Sequence, residues 1–284
     1  MQESATWQPP TGTLGTILEA TRRRLPSLDR VLAGAGIPAG GPGPSGYSVD
    51  RIPGHGLVPL RQALARDTVA VIAEIKRRSP SKGDLNTTLN AAAQAGAFER
   101  GSAAAISVLT EPEFFNGSLD DLKAVRSGVS LPILRKDFHV HFSQLMEARL
   151  AGASAVLLIA RALSPRELPD LMRYARRHEL ETVVEVRDDV ELQRAIDAGA
   201  EIIGVNSRNL ETLEVDPRVP ERIVPKIPRD VIAVWESGVS SVADVERAAE
   251  FGADAVLVGS ALSRAPDPEA LVRSLSQVKR RGRG

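Results

Sequence analysis

The sequence contains no cysteine among its 284 residues, and this absence excludes several kinds of chemistry. Disulfide bonds, thiolate metal sites and a cysteine nucleophile are all ruled out. Lysine plus arginine and aspartate plus glutamate both number 36, so there is no excess charge of one sign to attract nucleic acid or an anionic membrane. Any charged ligand must therefore be bound by a local site.

Long apolar runs are also absent. No stretch approaches the roughly 20 apolar residues that a membrane-spanning helix needs, and the first residues lack the basic and then apolar pattern of a secretory signal. We therefore expect a cytoplasmic protein with no membrane partner and no nucleic-acid partner. A chain of 284 residues can form one large domain, and α/β barrels often have this size.

The N-terminal part of the chain has a pattern of its own. Residues 1–13 are polar and rich in proline, which predicts a loosely attached tail. Apolar side chains then recur at helical spacing, at Leu14, Ile17, Leu18 and Leu25. Glycine and proline dominate residues 33–56, which is typical of a linker. We expect residues 1–56 to form an N-terminal extension and residues 57–284 to form the catalytic domain.

From Val71 onward, helix-like segments that end in glycine are each followed directly by a short apolar strand. The glycines of these joints are Gly101, Gly152, Gly199 and Gly252. They are about fifty residues apart, and one further strand lies between successive joints, at 131–136, 182–186 and 231–236. With residues 71–76 as the first strand, the count of predicted strands reaches eight.

The alternation of strands and helices predicts a parallel sheet. Typical helix starts support it, with a cap residue at Ser118, Ser164, Asp216 and Asp267. No strand is followed by the Gly-x-Gly-x-x-Gly turn of dinucleotide-binding sheets. Eight strand–helix units in this length therefore predict an α/β fold closed into a (β/α)8 barrel, with the N-terminal helices packed across it.

Polar side chains follow nearly every predicted strand, at the end where barrel enzymes place their chemistry. The candidates are Glu74, Lys76, Lys136, Glu185, Asn206, Arg208 and Glu236. The opposite strand ends carry few charges beyond Glu201 and Asp254. Burial can move the pKa of facing lysines and glutamates towards neutrality, as acid–base catalysis requires. Lys136 with Glu185 or Glu74 is the predicted acid–base pair.

Two turns after the last strands suggest a phosphate site. Ser237-Gly238 and Gly259-Ser260 offer backbone N–H donors where barrels commonly bind phosphate, although Gly259 has the alternative role of allowing a tight turn. Lys76 can add a point charge. The planar fork of Arg208 suits a second anion such as a carboxylate.

Other candidates for ligand contacts lie after the second and third strands. Phe115 and Phe138 can flank an apolar or aromatic substrate, but lone aromatic residues are equally often plain packing. His139 and His141 have the spacing of metal ligands on a strand, but no third ligand is evident, so we predict no metal.

Six ordered motifs carry a resemblance to a known family: IAEIKRRSPSKG at 72–83, ISVLTE at 106–111, FNGS at 115–118, LRKDF at 134–138, NSRNL at 206–210 and ESGV at 236–239. From about residue 57 to the C-terminus the chain resembles indole-3-glycerol phosphate synthase of tryptophan biosynthesis. The resemblance implies a (β/α)8 barrel with an N-terminal helical extension. It also implies conversion of 1-(2-carboxyphenylamino)-1-deoxyribulose 5-phosphate to indole-3-glycerol phosphate, with release of CO2 and water and without a cofactor.

The resemblance also implies roles for individual residues. Lys136 matches the general acid that protonates the carbonyl under attack, and Glu185 matches its catalytic partner. Glu74 and Lys76 match the pair that handles later proton transfers and the dehydration. Further catalytic positions are Asn206, Glu236 and Ser237. The implied substrate-binding positions are Ser79 and Arg208 near the carboxylate, Gly238, Gly259 and Ser260 around the phosphate, and Phe115, Phe138, Leu157, Leu210 and Leu257.

One departure from the family pattern is Trp235, which stands where a small residue is usual. The period of two in a strand points Trp235 outward if Glu236 points inward, so we expect it to pack against helices. Three alternatives remain open: a paralogue for a related phosphorylated substrate, a Schiff-base aldolase that uses Lys136 or Lys76, and a non-catalytic subunit. A homo-oligomer or association with other tryptophan-pathway enzymes also remains open.

Overall fold

Eight parallel strands close into a barrel in the computed structural model, which describes residues 7–34 and 58–283. The strands are β1 (Ala70–Ile75), β2 (Ala105–Leu109), β3 (Ile133–Lys136), β4 (Ala155–Ile159), β5 (Glu181–Val186), β6 (Ile202–Asn206), β7 (Ile232–Glu236) and β8 (Ala255–Val258). Consecutive strands are neighbours, and β1 pairs with both β2 and β8. The predicted (β/α)8 barrel is confirmed.

Helices surround these strands over the described ranges. They are α1 (Gly12–Gly34), α2 (Leu60–Leu64), α3 (Ala91–Arg100), α4 (Pro112–Phe115), α5 (Leu119–Gly128), α6 (Phe142–Leu150), α7 (Glu167–Arg177), α8 (Asp189–Asp197), α9 (Arg218–Ile223), α10 (Val242–Glu250), α11 (Ser260–Arg264) and α12 (Pro268–Leu275). Single 3₁₀ turns lie at Ala160–Ala162 and Val224–Lys226, and a short hairpin joins Arg78–Ser79 to Gly83–Asp84. No helix in this part of the chain is long and apolar enough to cross a membrane.

Alternation along each strand produces two separate apolar clusters. Residues such as Ile72, Leu134 and Val183 fill the inside of the barrel, while their neighbours pack outward against the helices. Trp235 follows this rule, because it lies in the outer cluster with its ring centroid 6.2 Å from that of Phe251. The outward packing expected for this residue is confirmed.

Helix starts form largely as the cap residues predict. Ser118 accepts a hydrogen bond from the Asp121 N–H at 3.0 Å, and Asp267 accepts one from Ala270 at 2.9 Å. Ser164 and Glu167 exchange reciprocal bonds, but α7 begins only at Glu167. The three residues before it form the turn that leads into the helix.

The N-terminal segment is more firmly attached than its composition predicts. α1 extends through Pro26 to Gly34, beyond the predicted apolar pattern. Residues 7–11 are bound to the barrel, since the Trp7 indole N–H donates to the Arg161 carbonyl at 3.3 Å and the Thr11 N–H donates to Glu211 at 2.7 Å. The prediction of a loose tail is therefore wrong for residues 7–13. Residues 1–6 and 35–57, which include most of the predicted linker, lie outside the described residues.

α1 and α2 cover opposite ends of the barrel. Leu14, Ile17 and Leu18 of α1 join the inner cluster at the carboxyl ends of the strands. α2 lies at the amino ends, where the Arg61 N–H donates to Glu181 at 3.1 Å and the Arg61 guanidinium is 3.6 Å from Glu201. The helical extension packed across the barrel is thus present.

Candidate active site

A buried cluster of opposite charges lies at the carboxyl ends of the strands. Lys136 ends β3, and its Nζ lies 3.4 Å from Glu185 Oε2 and contacts Glu236 Oε2. Lys76, one residue beyond β1, lies 3.6 Å from Glu74 Oε1. The three carboxylates come from β1, β5 and β7, so barrel closure is what brings them together.

Two glycines provide the space for these carboxylates. A Cβ atom at Gly204 would lie 2.1 Å from Glu236 Oε1, and one at Gly259 would lie 2.3 Å from Glu74 Oε1. Gly259 has a negative φ of −120°, so its backbone does not require glycine. Gly259 lies at the turn between β8 and α11, and the room that Glu74 needs is a second constraint on this position.

Asn206 connects the acid–base cluster to the neighbouring turns. Its Nδ2 donates to Glu185 Oε1 at 3.0 Å. Its Oδ1 accepts from the Ser237 hydroxyl at 2.9 Å and from the Arg208 N–H at 2.9 Å. Ser237 has a left-handed φ of +65°, which costs a non-glycine residue about 1 kcal/mol. The hydrogen bond to Asn206 thus holds Ser237 in a backbone conformation that is locally unfavourable.

Burial and the neighbouring charges shift the pKa values of three groups in the cluster. Burial alone would lower the pKa of Lys136, but the charges of Glu236, Glu185 and Glu74 outweigh it and raise this pKa. Burial lowers the pKa of Lys76, against the nearby charge of Glu74. Burial and the neighbouring Glu185 raise the pKa of Glu236 to about 8, although Lys136 opposes this.

These directions only partly match the sequence prediction. The pKa values of Lys76 and Glu236 move towards neutrality as expected. The pKa of Lys136 moves away from neutrality, because three carboxylates surround one ammonium group. Lys136 is therefore protonated throughout the neutral range and can act as an acid.

All the predicted site residues line one of two adjoining cavities. The first, of about 90 Å³, is lined by Glu74, Lys76, Ser79, Phe115, Lys136, Phe138, Leu157, Glu185, Asn206, Arg208, Leu210, Glu236, Ser237 and Leu257. The centroids of Phe115 and Phe138 are 6.0 Å apart, and Lys76 Nζ lies 6.0 Å from the Phe115 centroid. The two aromatic rings thus form one wall beside the charges, with leucines from β4 and β8 opposite.

The second cavity, of about 290 Å³, contains the predicted phosphate turns. Gly238, Gly259 and Ser260 line it together with Lys76 and Arg208. Lys82 and Arg264 also line it, and the sequence reasoning did not select them. Arg264 lies four residues after Ser260 on α11, so helical spacing was the available signal. The cavity can accommodate a dianionic group.

Another residue that sequence reasoning missed is Ile17. It lines the first cavity from α1, more than fifty residues before the first strand. Its helical spacing identified a buried face, but nothing in the sequence indicated what that face covers.

The two candidate metal ligands have structural contacts instead. His139 is buried, and its Nδ1 lies 2.8 Å from the Leu157 carbonyl, which can only accept a hydrogen bond. His141 caps α6 and accepts a hydrogen bond from the Ser143 N–H. Among the described residues, no group of three possible ligands converges on a metal position.

A closed parallel barrel with a cluster of buried acids and bases and adjoining glycine-containing turns at one mouth defines the class: a (β/α)8-barrel enzyme. The family model for indole-3-glycerol phosphate synthase matches residues 57–275, and the chain belongs to this family. An indole-3-glycerol phosphate synthase from Mycolicibacterium gilvum is 44% identical over 262 residues, covering 92% of this chain and 93% of that protein. Indole-3-glycerol phosphate synthase 1 from Streptomyces coelicolor is 51% identical over 213 residues, covering 75% of this chain and 79% of that protein.

Solved structures of other enzymes share the fold alone. A 3-hexulose-6-phosphate synthase from Salmonella typhimurium has a TM-score of 0.60 and 20% identity, covering 74% of this chain and 97% of its own. A tryptophan synthase alpha chain from Legionella pneumophila has a TM-score of 0.58 and 15% identity, covering 77% of this chain and 95% of its own. These likenesses support the barrel architecture and carry no functional argument.

Proposed function

We propose that the cluster at the barrel mouth carries out the family's reaction in this chain, with Lys136 as its principal acid. The chain is a carboxy-lyase of tryptophan biosynthesis, and it converts 1-(2-carboxyphenylamino)-1-deoxyribulose 5-phosphate to indole-3-glycerol phosphate. Ring closure forms a carbon–carbon bond, after which CO2 and then water leave. The observation that carries the proposal is the placement of Lys136 between Glu185 and Glu236 on the floor of the cavity.

In the first step the ring carbon that bears the carboxylate attacks the ribulose carbonyl carbon. Lys136 donates a proton to the carbonyl oxygen as the new bond forms. The carboxylates around it keep it protonated at neutral pH, so the proton is available, although the raised pKa makes Lys136 a weaker acid than an ordinary lysine. Positive charge develops on the arylamine during the attack. Glu185, held by Asn206, stabilises that charge, because a fixed carboxylate in a buried site interacts strongly with it.

The later proton transfers belong to Glu74 and Lys76. Loss of CO2 returns the bonding electrons to the ring, and removal of a proton and of a hydroxyl group as water completes the indole. Lys76 lies 3.6 Å from Glu74, so the pair can hold a proton between them. The lowered pKa of Lys76 makes it a better proton carrier near neutral pH than an ordinary lysine.

The two cavities divide the rest of the substrate. Gly238, Gly259 and Ser260 bind the phosphate, while Ser79 and Arg208 bind the carboxylate. The arylamine ring lies against Phe115 and Phe138, with Leu157, Leu210 and Leu257 completing the apolar wall. Cytoplasmic location fits this substrate, since a phosphate dianion does not cross a bilayer unaided.

The test is formation of indole-3-glycerol phosphate by the purified protein. We expect Lys136→Met to lower kcat by about 10²- to 10⁴-fold, because the acid is lost, and Glu185→Gln to lower it by a similar factor. Lys123→Met is the matched control, since Lys123 lies on the exposed face of α5 and, within residues 7–34 and 58–283, its ion pair is with Asp120 at 3.2 Å. Equal activity of all three variants would show that the residue roles are wrong.

Borohydride trapping tests the aldolase alternative. A Schiff-base mechanism requires a neutral amine, and the raised pKa of Lys136 opposes this. Borohydride treatment in the presence of substrate should therefore leave the mass of the protein unchanged. A trapped adduct that is absent from Lys76→Met would instead favour an aldolase that uses Lys76. Self-association and binding to other tryptophan-pathway enzymes stay open.

A further inference from the structure

The loop after β2 contains a carboxylate with an unusual set of partners. Glu111 is fully buried, and it precedes the four-residue helix α4. Its Oε1 accepts a hydrogen bond from the Glu113 N–H at 3.0 Å, and its Oε2 accepts from Phe114 at 2.7 Å and Phe115 at 3.2 Å. The remaining helix residue is Pro112, which has no N–H. One side chain therefore satisfies every N–H of α4.

A helix this short has no stability of its own. It is too short for internal i to i−4 hydrogen bonds, and isolated helices below about 12 residues are marginal in water. Glu111 also holds the far end of the loop, because its carbonyl accepts from the Gly117 N–H at 2.9 Å. Gly117 lies so close to β2 that a Cβ atom there would be 2.2 Å from the Leu109 carbonyl oxygen. The position of α4 thus depends on Glu111.

What α4 presents to the cavity is Phe115. This ring lines the first cavity beside Phe138, and its centroid lies 6.0 Å from Lys76 Nζ. A change in the position of α4 therefore moves both the aromatic wall and a neighbour of a catalytic lysine. Glu111 itself does not line this cavity.

The buried charge of Glu111 is met by a residue from the N-terminal extension. Arg24 of α1 lies 3.5 Å from Glu111 Oε1, and its side chain is 35% exposed. A buried carboxylate that loses its cationic partner is destabilised, so Arg24 contributes to holding Glu111 in its ionised form. The extension is in this way linked to the wall of the site.

We propose that Glu111 is a positioning residue that fixes Phe115 in the wall of the substrate-binding cavity, and that Arg24 holds Glu111 in place. The part of this inference that concerns the substrate rests on the proposed function. The residue acts through Phe115 and does not touch the reacting atoms.

The chain offers matched controls on the same two helices. Glu111→Gln keeps the size of the side chain but directs an amide NH2 at either the helix N–H groups or Arg24. Glu113→Gln makes the same change two residues later on α4, at an exposed residue 3.9 Å from Arg23. Arg24→Gln and Arg23→Gln form a second pair on adjacent residues of α1.

Steady-state kinetics provides the first measurement. We expect Glu111→Gln to raise KM roughly tenfold with a smaller change in kcat, and Arg24→Gln to raise it less, because the aromatic wall is displaced while Lys136 stays in place. The two control variants keep the wild-type KM. In a Phe115→Ala background, Glu111→Gln adds no further rise in KM. A full additional rise there, or equal behaviour of Glu111→Gln and Glu113→Gln, would overturn the proposal.

A second measurement does not depend on activity. The chain has six phenylalanines, so labelling with 4-fluorophenylalanine gives a short ¹⁹F NMR spectrum, in which the Phe115 resonance is the one that Phe115→Leu lacks. We expect Glu111→Gln to shift or broaden this resonance and Glu113→Gln to leave it unchanged. If the Phe115 resonance is unchanged in Glu111→Gln, the inference is wrong, even if the variant enzyme is active. If the wild type fails to form indole-3-glycerol phosphate, the proposed function fails, and this spectrum still decides the role of Glu111.

Discussion

His139 shows how a single buried residue at the site depends on its protonation state. Its Nδ1–H donates to the Leu157 carbonyl, while its Nε2 is buried without a hydrogen-bond partner among the described residues. Burial and the charge of Arg135 lower the pKa of His139 to about 4, against the opposing charge of Asp137. Protonation would place an unpaired N–H in the core, so the folded protein requires the neutral ring.

Because the pKa of His139 is lowered in the folded state, we expect the protein to lose stability at acid pH. The folded pKa lies below the value of 6.5 in the unfolded chain, so the stabilisation is complete above pH 6.5 and is lost as the pH falls towards 4. The stabilisation lost over this pH range is on the order of 3 kcal/mol. We expect the free energy of unfolding, measured with urea, to differ less between pH 7 and pH 5 in His139→Asn than in the wild type. An unchanged difference would contradict this account.

Among the elements, α1 has the contacts that matter most for the site. Glu211, in the loop after β6, accepts hydrogen bonds from the Thr11 N–H and hydroxyl and lies 3.0 Å from Arg161. The backbone at Gly12 has a φ of +58°, and a Cβ atom there would lie 2.4 Å from the Glu211 carbonyl oxygen. Glycine is therefore needed where α1 begins. These contacts hold Ile17 over the first cavity.

Loosening this attachment should weaken substrate binding. Glu211→Gln replaces one acceptor oxygen with a donor and removes the charge that Arg161 faces. Because these contacts are partly exposed to solvent, the cost is about 0.5–1 kcal/mol. We expect KM to rise severalfold while kcat changes little, since Ile17 contributes to the wall and not to proton transfer. Glu214→Gln, at an exposed position of the same loop, is the control. A lower kcat with unchanged KM would show that α1 has a different role.

The two ends of the barrel have different roles: contacts at the amino ends of the strands stabilise the fold, and the candidate active site lies at the carboxyl ends. At the amino ends of the strands, Asp254 is paired with Arg280 at 2.9 Å and Arg283 at 2.6 Å, so the C-terminal segment closes this face together with α2. At the other mouth, Lys82 and Arg264 line the cavity that contains the predicted phosphate turns. An anion bound there favours the folded state, because the unfolded chain has no such site.

Inorganic phosphate should therefore stabilise the whole barrel. At 100 times its Kd, a ligand specific for the folded state adds roughly 3 kcal/mol to the free energy of unfolding. We expect Tm to rise with phosphate concentration at constant ionic strength, and the rise to be smaller in Arg264→Gln, which loses a charge at the cavity. Lys279→Gln, an exposed change near the opposite face, should keep the wild-type rise. Equal rises in all three proteins would place the anion elsewhere.

Much of the fold and the site could be predicted from local pattern. Apolar runs after glycine identified the strands, and parallel strands must direct their carboxyl ends to one mouth. Polar residues such as Glu74, Lys136 and Glu185 were therefore expected to meet, and the structure places them around one cavity. The division into residues 1–56 and 57–284 stays a prediction.

Tertiary structure decided how these groups interact. Only the closed barrel brings Glu236 of β7 against Lys136 of β3, and the surplus of carboxylates there reverses the pKa shift expected for that lysine. The roles of Gly204 and Ile17 likewise depend on neighbours distant in sequence. Strand periodicity determines which way a side chain points. Barrel closure and helix packing determine which other side chains it contacts, and the electrostatic energy depends on the distances between those charged groups.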